Sequence, residues 1–400
     1  MAADYDVVIV GGGMVGGCLA LALSHSSLRV AIIESRPQAS KPDDAAAQRA
    51  IALSWGSRCL LQQLDLWSSL LQSAVPIKHV HVSDKGHFGK TRLSAESQAV
   101  EALGYVVAAE KIEAAVDASL SRAGVDMFCP AELLAYQVES AKAVLTLRHN
   151  GQEQQLSCRL LVGADGATST VREQGCFDLR QQSYQQQAIT ALLRVESEVR
   201  DVAYERFTAE GPIAMLPHFD DRYSVVWTMP SARAEQLLQL PEKDFIEILQ
   251  QRFGQWLGGL SLLGSRQSFP LNLSYVANNI AARVVLIGNA AHQLHPVAGQ
   301  GFNLGLRDAA TLADVLLSTP GDIGSDEVLA VYAERRQLDQ SLVIGFTDKL
   351  VKLFSSDNAA FSTLRNSGLL LMDKLPVLKN QFAQQTMGLA ARLPRLRGES

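Results

Sequence analysis

A glycine cluster between a short apolar run and an apolar helical stretch is the feature that most constrains the fold. Tyr5–Val10 predicts a buried parallel strand, and Met14–Ser24 predicts a helix. Between them, Gly11, Gly13 and Gly16 form the pattern G-x-G-x-x-G. One glycine permits the sharp turn, the next lets the backbone approach a diphosphate, and the third lets the helix pack closely on the strand. The sequence therefore predicts a dinucleotide whose phosphates face the helix N-terminus.

A second strand and an acidic residue complete this unit. Arg29–Ile33 predicts the next parallel strand, and Glu34 follows it directly. A carboxylate at that position can accept hydrogen bonds from a pair of ribose hydroxyls. A glycine-rich turn without a ligand would leave Glu34 unexplained, so dinucleotide binding is the favoured interpretation.

A second strand-to-helix turn lies near the middle of the chain. Leu160–Val162 predicts a buried strand, Asp165 and Gly166 predict a turn, and Ser169–Glu173 begins a helix that contains Arg172. Taken alone, this segment is equally consistent with an ordinary turn that binds nothing.

A third segment of the same kind begins with the predicted strand at Val284–Ile287, which is followed by Gly288 and Asn289. A loop with Pro296, Gly299 and Gly301 comes next, and a long amphipathic helix is predicted from about Asn303. A second helix N-terminus facing a ligand suits a flavin, because reduction places negative charge on the ring. His292 and His295 have no acidic or cysteine partner at metal spacing, so we expect loop structure and no metal there.

Composition sets wider limits on the function. The chain has 400 residues, 47% of them hydrophobic and 19% charged, with a net charge of -5. These values predict a globular protein of two joined domains and argue against disorder and a broad nucleic-acid surface. The five cysteines are odd in number and form no C-x-x-C pair, which predicts reduced thiols in a cytoplasmic protein.

The three segments, in this order, resemble the aromatic hydroxylase family of FAD-dependent monooxygenases, the para-hydroxybenzoate hydroxylase superfamily. The resemblance covers nearly the whole chain. The stretch HPVAGQGFNLGLRD is similar to the signature of the ubiquinone-biosynthesis branch. GHFGKTRLSAE, followed by ALGYVV, resembles the hydroxylases of that branch that act on 2-polyprenyl-6-methoxyphenols. Asn289 stands where most of the superfamily has Asp, a change that this subfamily shares.

The resemblance implies an α/β fold with a Rossmann-like FAD-binding domain, an interleaved β-sheet substrate domain and C-terminal helices. It divides the chain into residues 1–75, 100–180 and 275–330 for FAD, 76–99 and 181–274 for the substrate, and 331–400 for the helices. The helical pattern at Glu242–Phe253 is the one helix that we predict between Gln187 and Leu273.

The resemblance also assigns cofactor contacts residue by residue. The ADP half of FAD would lie on Gly11, Gly13, Gly16 and Glu34, with Arg49 of QRAIALS near the phosphates. Asp165 and Gly166 would serve FAD and NADPH. Gly288 and Asn289 would meet the ribityl chain, and the flavin ring would lie among Pro296, Gly299, Gly301 and Asn303.

The implied reaction uses NADPH or NADH to reduce the flavin and O₂ to form a flavin C4a-hydroperoxide. This species hydroxylates a prenylated phenol, 2-polyprenyl-6-methoxyphenol, to a 1,4-benzoquinol. The flavin carries the chemistry, so no catalytic side chain is assigned. His218 could face the substrate, although a lone histidine is more often structural.

Several alternatives stay open. Hydroxylation at another ring position, reduction of a prenyl chain, and a flavin-stabilised subunit without activity all use the same fold. A flavin halogenase would need W-x-W-x-I-P, but Trp55, Trp67, Trp227 and Trp256 stand alone. Uptake of O₂ separates a hydroxylase from a reductase.

A prenylated substrate would reside in a bilayer, and we find no plausible spanning segment in the sequence. Residues 341–400 carry eight basic and four acidic side chains interleaved with apolar runs such as Leu369–Met372. This pattern, with Arg392, Arg395 and Arg397 near its end, suits peripheral contact with the inner face of a membrane or with a biosynthetic complex. Packing of the apolar residues on the FAD domain is the equally weighted alternative.

Overall fold

The computed structural model describes residues 3–37, 49–86, 89–294, 300–354, 375–389 and 393–396. The strands are β1 (Tyr5–Val10), β2 (Val30–Ile33), β3 (Ala50–Ser54), β4 (Val75–Ile77), β5 (His79–Asp84), β6 (Lys90–Ser94), β7 (Gly104–Ala108), β8 (Asp126–Phe128), β9 (Ala131–Val138), β10 (Ala143–His149), β11 (Gln152–Gly163), β12 (Leu179–Val195), β13 (Val202–Thr208), β14 (Gly211–Pro217), β15 (Arg222–Pro230), β16 (Leu260–Val276), β17 (Ile280–Ala281), β18 (Val284–Leu286) and β19 (His292–Gln293). The helices are α1 (Met14–Leu23), α2 (Trp55–Gln63), α3 (Trp67–Leu70), α4 (Ala109–Leu120), α5 (Thr170–Gln174), α6 (Ser231–Gln239), α7 (Glu242–Phe253), α8 (Gln300–Ser318), α9 (Asp326–Phe354) and α10 (Pro376–Thr386).

The first large sheet has the order β17-β18-β11-β1-β2-β8, and β10 and β9 continue it from β11. Strands β18, β11, β1, β2 and β8 are parallel. From Val7 to Val10 the central strand β1 is apolar, because this part of it is covered on both faces. Val7 and Ile9 face a core that includes α1, α4 and α8, and Val8 and Val10 face a second core with β9 and β10.

The second large sheet has the order β19-β16-β12-β15-β14-β13-β5-β6. Helices α6 and α7 pack on one face of it, where the buried side chains of Trp227, Phe245 and Phe253 belong to one core. We predicted α7 from its helical spacing, but α6 is an additional helix. It was missed because it has nine residues and buries only Ala234 and Leu237, too few to establish a period.

A third, smaller sheet has the order β3-β7-β4. It lies against the second large sheet, because Val75, Ile77 and Val106 share a small core with Ala203 of β13. Strands of the two large sheets alternate along the chain, so the chain crosses between them several times. Of the five cysteines, Cys18 and Cys158 are buried.

A buried cluster of charges joins α8 to α9. Asp308 is fully buried and accepts hydrogen bonds from Arg336 Nε at 2.8 Å and from Gln340 Nε2 at 2.9 Å. The imidazole Nε2 of His292 lies 2.5 Å from the other carboxylate oxygen. Burial alone would raise the pKa of Asp308, but His292 and Arg336 hold it well below its ordinary value. Asp308 is therefore a permanent anion with several donors around it.

The first prediction concerns this cluster. Arg336→Gln removes the cation that faces Asp308 and leaves a buried carboxylate that is poorly compensated. We expect the free energy of unfolding to fall by about 3–5 kcal/mol. The measurement is denaturant unfolding of the FAD-loaded protein, followed by circular dichroism.

The neighbouring arginine provides a matched control. Arg335 pairs with Asp314 at 2.7 Å, but its side chain is 49% exposed. Arg335→Gln should cost less than about 1 kcal/mol, because exposed ion pairs contribute little. Equal losses in the two variants would show that the Asp308 cluster does not stabilise the fold.

Candidate functional site

Four parallel strands end side by side at one edge of the first large sheet. Their registers pair Val10 with Ile33, Val10 with Gly163, and Gly163 with Leu286. Neighbouring strands lie about 4.8 Å apart, so the segments that follow β2, β1, β11 and β18 leave the sheet in one row. The three turns predicted from the sequence are thus brought together at the carboxyl edge, where open α/β sheets bind ligands.

The first turn needs its glycines for different reasons. Gly11 has a φ of +99°, and a Cβ there would lie 2.5 Å from the carbonyl oxygen of Ala164. A Cβ on Gly16 would lie 2.0 Å from the carbonyl oxygen of Gly11, so the helix could not start this close to the strand. At Gly13 the nearest atom to a Cβ is Arg36 Nη2 at 3.9 Å. The protein itself therefore leaves space beside Gly13.

The start of α1 supplies hydrogen-bond donors to this space. Gly13 occupies the N-cap position and has no side chain that could cap the first turn. Met14 and Val15 follow, and the first turn contains no acidic residue. The uncapped N–H groups and the positive end of the helix dipole form a site that suits an anion.

Glu34 is held beside this turn by the backbone. Its Oε2 accepts a hydrogen bond from Gly12 N at 2.8 Å, and its Oε1 accepts one from Arg36 N at 2.8 Å. A carboxylate has about four acceptor positions, so both oxygens retain capacity for hydroxyl donors. The carboxylate can therefore accept hydrogen bonds from ribose hydroxyls.

The second turn places a carboxylate against the first. Gly166 has a φ of +86°, which ends the turn after Asp165. Asp165 Oδ2 accepts a hydrogen bond from Val171 N at 3.2 Å, and Ser169 caps α5 by accepting from Arg172 N. Within the described residues, the buried Oδ1 of Asp165 has no partner. Burial raises the pKa of Asp165, so a donor from a ligand would stabilise its charged form.

Arg172 ties the second turn to the third. Its Nη2 donates to Ala167 O at 2.6 Å, and its Nη1 donates to Ala290 O at 2.9 Å. The side chain is buried. The sequence placed Arg172 at the start of a helix, but its partner 118 positions later could not be read from local spacing.

The third turn is fixed by the Asp308 cluster and by close packing. Gly288 has a φ of +59°, and its N–H donates to Asp308 Oδ2 at 3.2 Å. A Cβ on Gly305 would lie 2.9 Å from Val15 and 3.0 Å from Gly288, so α8 packs tightly on the start of α1. Asn289 is exposed at the turn, where its amide is accessible.

Helix α8 begins at Gln300, three residues before the predicted start at Asn303. The amide of Asn303 is directed at β3: Ser54 N donates to its Oδ1 at 2.9 Å, and its Nδ2 donates to Ala52 O at 2.8 Å. A role for Asn303 at the flavin ring stays a prediction, and the structure adds a role in joining α8 to β3. A Cβ on Gly301 would meet no neighbouring atom in the described residues.

The remaining predicted residues are placed as follows. Arg49 is exposed and immediately precedes β3. Pro296, Gly299 and His295 lie outside the described residues. Across the part of the chain that the structure describes, no group of three or more His, Cys, Asp and Glu side chains is arranged to hold a metal.

His218 follows β14 on the second large sheet. Its Nδ1 accepts a hydrogen bond from Phe219 N at 2.9 Å, and burial lowers its pKa. This contact fixes the ring locally. A role for His218 toward substrate stays a prediction.

The residues at this edge fit a dinucleotide with a diphosphate. The open space at Gly13, the uncapped start of α1 and the unpartnered oxygen of Asp165 are adjacent, and each lacks a partner from the described protein. When bound, FAD would supply redox chemistry with a nicotinamide and O₂. The chain supplies donors, charge and an apolar surround.

Comparison with known proteins agrees with this geometry. Ubiquinone hydroxylase UbiL of Rhodospirillum rubrum is 35% identical to this chain and aligns over 96% of this chain and 89% of that protein. 3-Demethoxyubiquinol 3-hydroxylase of Escherichia coli is 30% identical over 96% of this chain and 98% of that protein.

A solved structure has the same fold. The p-nitrophenol 4-monooxygenase PnpA of Pseudomonas putida matches with a TM-score of 0.77 and 18% identity, over 98% of this chain and 100% of that one. Residues 4–346 match the family described as FAD binding domain. The chain therefore belongs to the FAD binding domain family and is an FAD-dependent monooxygenase of the aromatic hydroxylase type.

Proposed function

We propose that this enzyme hydroxylates a prenylated phenol in ubiquinone biosynthesis, with 2-polyprenyl-6-methoxyphenol as the substrate and NADPH as the reductant. The observation that carries the proposal is similarity along the whole chain to two hydroxylases whose names place them in ubiquinone chemistry. The stretches HPVAGQGFNLGLRD and GHFGKTRLSAE support the same branch. The 1,4-benzoquinol is the proposed product.

The cofactor contacts proposed from the sequence keep their assignments. Gly11, Gly13, Gly16 and Glu34 would bind the ADP half, and Arg49 the phosphates. Asp165 and Gly166 would serve FAD and NADPH, Gly288 and Asn289 would meet the ribityl and diphosphate region, and Pro296, Gly299, Gly301 and Asn303 would surround the ring. The row of strand ends and the unpartnered Asp165 Oδ1 support this arrangement.

The domain division is likewise a proposal. Residues 1–75, 100–180 and 275–330 would form the FAD-binding domain, 76–99 and 181–274 the substrate domain, and 331–400 a C-terminal helical region. The membership of β5, β6 and β12 to β16 in the second sheet supports it, whereas β19, within residues 275–330, pairs with β16 in that same sheet.

A second candidate is hydroxylation at another ring position. It is favoured by the name of the Escherichia coli relative, a 3-hydroxylase that acts on a demethoxyubiquinol. The two candidates share FAD, NADPH and O₂ and differ in the substrate ring and in which of its carbons receives oxygen.

Peripheral contact with a membrane is a further part of the proposal. None of the described helices is both long and apolar enough to cross a membrane. Leu375, Val377 and Leu378, around the start of α10, are 43%, 68% and 41% exposed. Arg395 is exposed in the same region of the chain, whereas Arg392 and Arg397 lie outside the described residues. Apolar side chains with nearby cations suit an anionic bilayer in which a prenyl tail resides.

The second prediction tests the reaction. Protein supplied with NADPH and a short-chain 2-prenyl-6-methoxyphenol should consume O₂ and form a quinol with one added oxygen atom, detected by mass spectrometry with labelled O₂. A methyl group para to the phenolic hydroxyl should abolish product but still stimulate NADPH oxidation. Conversion of a demethoxyubiquinol instead would favour the second candidate. No O₂ uptake with either compound would indicate a subunit without this activity.

The third prediction tests the first turn. Gly13→Val should fold, because among the described atoms a Cβ there meets just Arg36 Nη2, at 3.9 Å. It should lose FAD, because the added methyl groups would occupy the space of the diphosphate. The flavin-to-protein absorbance ratio and the melting temperature of the apoprotein measure the two effects separately.

Gly345→Val is the matched control, because no atom of the described residues would lie near a Cβ on Gly345, which is in α9. It should retain FAD. If the Gly13→Val variant kept its full FAD content, the assignment of the diphosphate to the first turn would be wrong.

The fourth prediction tests membrane contact. Val377→Gln together with Leu378→Gln should weaken binding to anionic liposomes by at least about tenfold, since each inserted side chain contributes about 1.5–3 kcal/mol. Flotation measures the bound fraction. Val138→Gln with Val199→Gln is the control, because these side chains are exposed by 42% and 39% on other segments. Equal binding by all proteins would exclude α10 as the contact, and turnover of a short-chain phenol should persist throughout.

A further inference from the structure

One row of side chains crosses five strands of the second large sheet. Its members, from β5 through β13, β14 and β15 to β12, are Val82, Glu205, Ala214, Val226 and Thr190. Paired residues on adjacent strands project to the same face. All five side chains are half-buried, so this row is not part of a closed core.

This row faces away from α6 and α7. The residues beside it, Tyr204 of β13 and Met215 of β14, are buried in the core that contains Phe245 of α7. Side chains alternate along a strand, so Glu205 and Ala214 project from the opposite face.

Residues beside this row, on the same face of the sheet, pack against β3 of the small sheet. Ala203 and Leu216, on the same face as Glu205, pack with Ala52 of β3. The backbone of β3 is bonded to Asn303 near the start of α8, the helix that follows the third turn. Glu205 lies two residues beyond Ala203, about 7 Å along β13. The row is therefore next to the region proposed for the flavin ring.

Glu205 is the one ionisable side chain of the row. Within the described part of the chain it has no hydrogen-bond or ion-pair partner, and burial raises its pKa to about 7. Asp84 projects to the same face one row further along β5. His218, Arg222 and Arg194 lie at the other end of β14, β15 and β12, two rows away. The other side chains of the row, those of Val82, Ala214, Val226 and Thr190, are small or apolar, so none of them ionises beside Glu205.

We propose that Glu205 accepts the phenolic proton of the substrate, an inference that rests on the function proposed above. As ring electrons form the new C–O bond, the O–O bond of the oxygen donor that the cofactor would supply would break, and its electron pair would stay on the oxygen left behind, which would take a proton from water. The electron pair of the phenolic O–H bond moves to the bond between the phenolic oxygen and the ring. The proton moves to a carboxylate oxygen of Glu205, and a ring carbonyl forms. The hydroxylated carbon then loses its hydrogen to water, and Glu205 returns its proton to the carbonyl oxygen, which restores the aromatic ring.

The fifth prediction is a change in the pH profile. Glu205→Gln keeps the volume of the side chain but cannot take a proton. In the native enzyme, kcat/KM for the phenol should rise with pH up to about 7, where Glu205 becomes ionised, and then level off. The variant should lack this rise, with a maximal rate lower by about 10²–10⁴-fold. Its FAD content and melting temperature should match those of the native protein.

Asp201→Asn is the matched control, because it makes the same chemical change just before β13, where Asp201 pairs with Lys78 at 4.0 Å. It should keep the native profile. A Glu205→Gln enzyme that retains the rise near pH 7 would overturn the proposal, since another group would then accept the proton.

A second measurement needs no turnover. The visible absorbance of bound 4-nitrophenol reports its ionisation. An ionised Glu205 disfavours a phenolate beside it, so bound nitrophenol should ionise at least about one pH unit higher in the native protein than in Glu205→Gln. Equal titration in the two proteins would overturn the proposal. If this shift is present but no prenylated phenol is hydroxylated, the proposed substrate fails and the assignment of Glu205 stands.

Discussion

The in-register ends of β2, β1, β11 and β18 are the constraint on which the rest of the site depends. Because parallel strands point the same way, one row of hydrogen-bonded residues, including Val10 and Gly163, decides where three distant turns leave the sheet. A slip of one residue in any of these strands would exchange its two buried faces and move its turn out of the row. The apolar character of both faces of β1 therefore fixes the fold and the position of the cofactor site together.

A buried cluster of charges holds the third turn where the strand register places it. The third turn leaves the sheet at Gly288, whose N–H is held by Asp308 from the following helix, and Asp308 is in turn held by Arg336 of α9. Burying an ion cluster between two helices costs free energy, because each ion loses its hydration. The cluster nevertheless specifies one packing arrangement of α8 and α9, because the Asp308 carboxylate must contact its hydrogen-bond donors. This coupling links α9, remote in sequence from the first turn, to the edge that would hold FAD.

The parts of the site that follow from local sequence were predictable, and the parts that depend on distant partners were not. Strand β1, the glycine turn and α1 were predicted closely because their signals lie within 20 residues. Asn303 was predicted near the ring, but its bonds to β3 span about 250 positions. Likewise, His292 and Arg336 reveal their shared partner Asp308 only once α8 and α9 pack. Pattern reasoning finds turns and helix ends, whereas such pairings require the folded chain.

The carboxylates of Asp308 and Glu205 show how one fold can hold one buried charge for structure and keep another available for reaction. Asp308 and Glu205 both lose water, which raises the pKa of any carboxyl group. His292 and Arg336 more than reverse that effect on Asp308 and hold its pKa well below the ordinary value. Asp308 therefore stays ionised and can serve only a structural role. Glu205 has no such partners in the described chain, so burial alone leaves its pKa at about 7. A carboxyl group with a pKa near 7 can both accept and release a proton near neutral pH, whereas a strongly paired carboxylate cannot. Because Glu205 has no partner in the described chain, its carboxylate is available to a phenol. In the same way, the unpartnered oxygen of Asp165 is available to the cofactor.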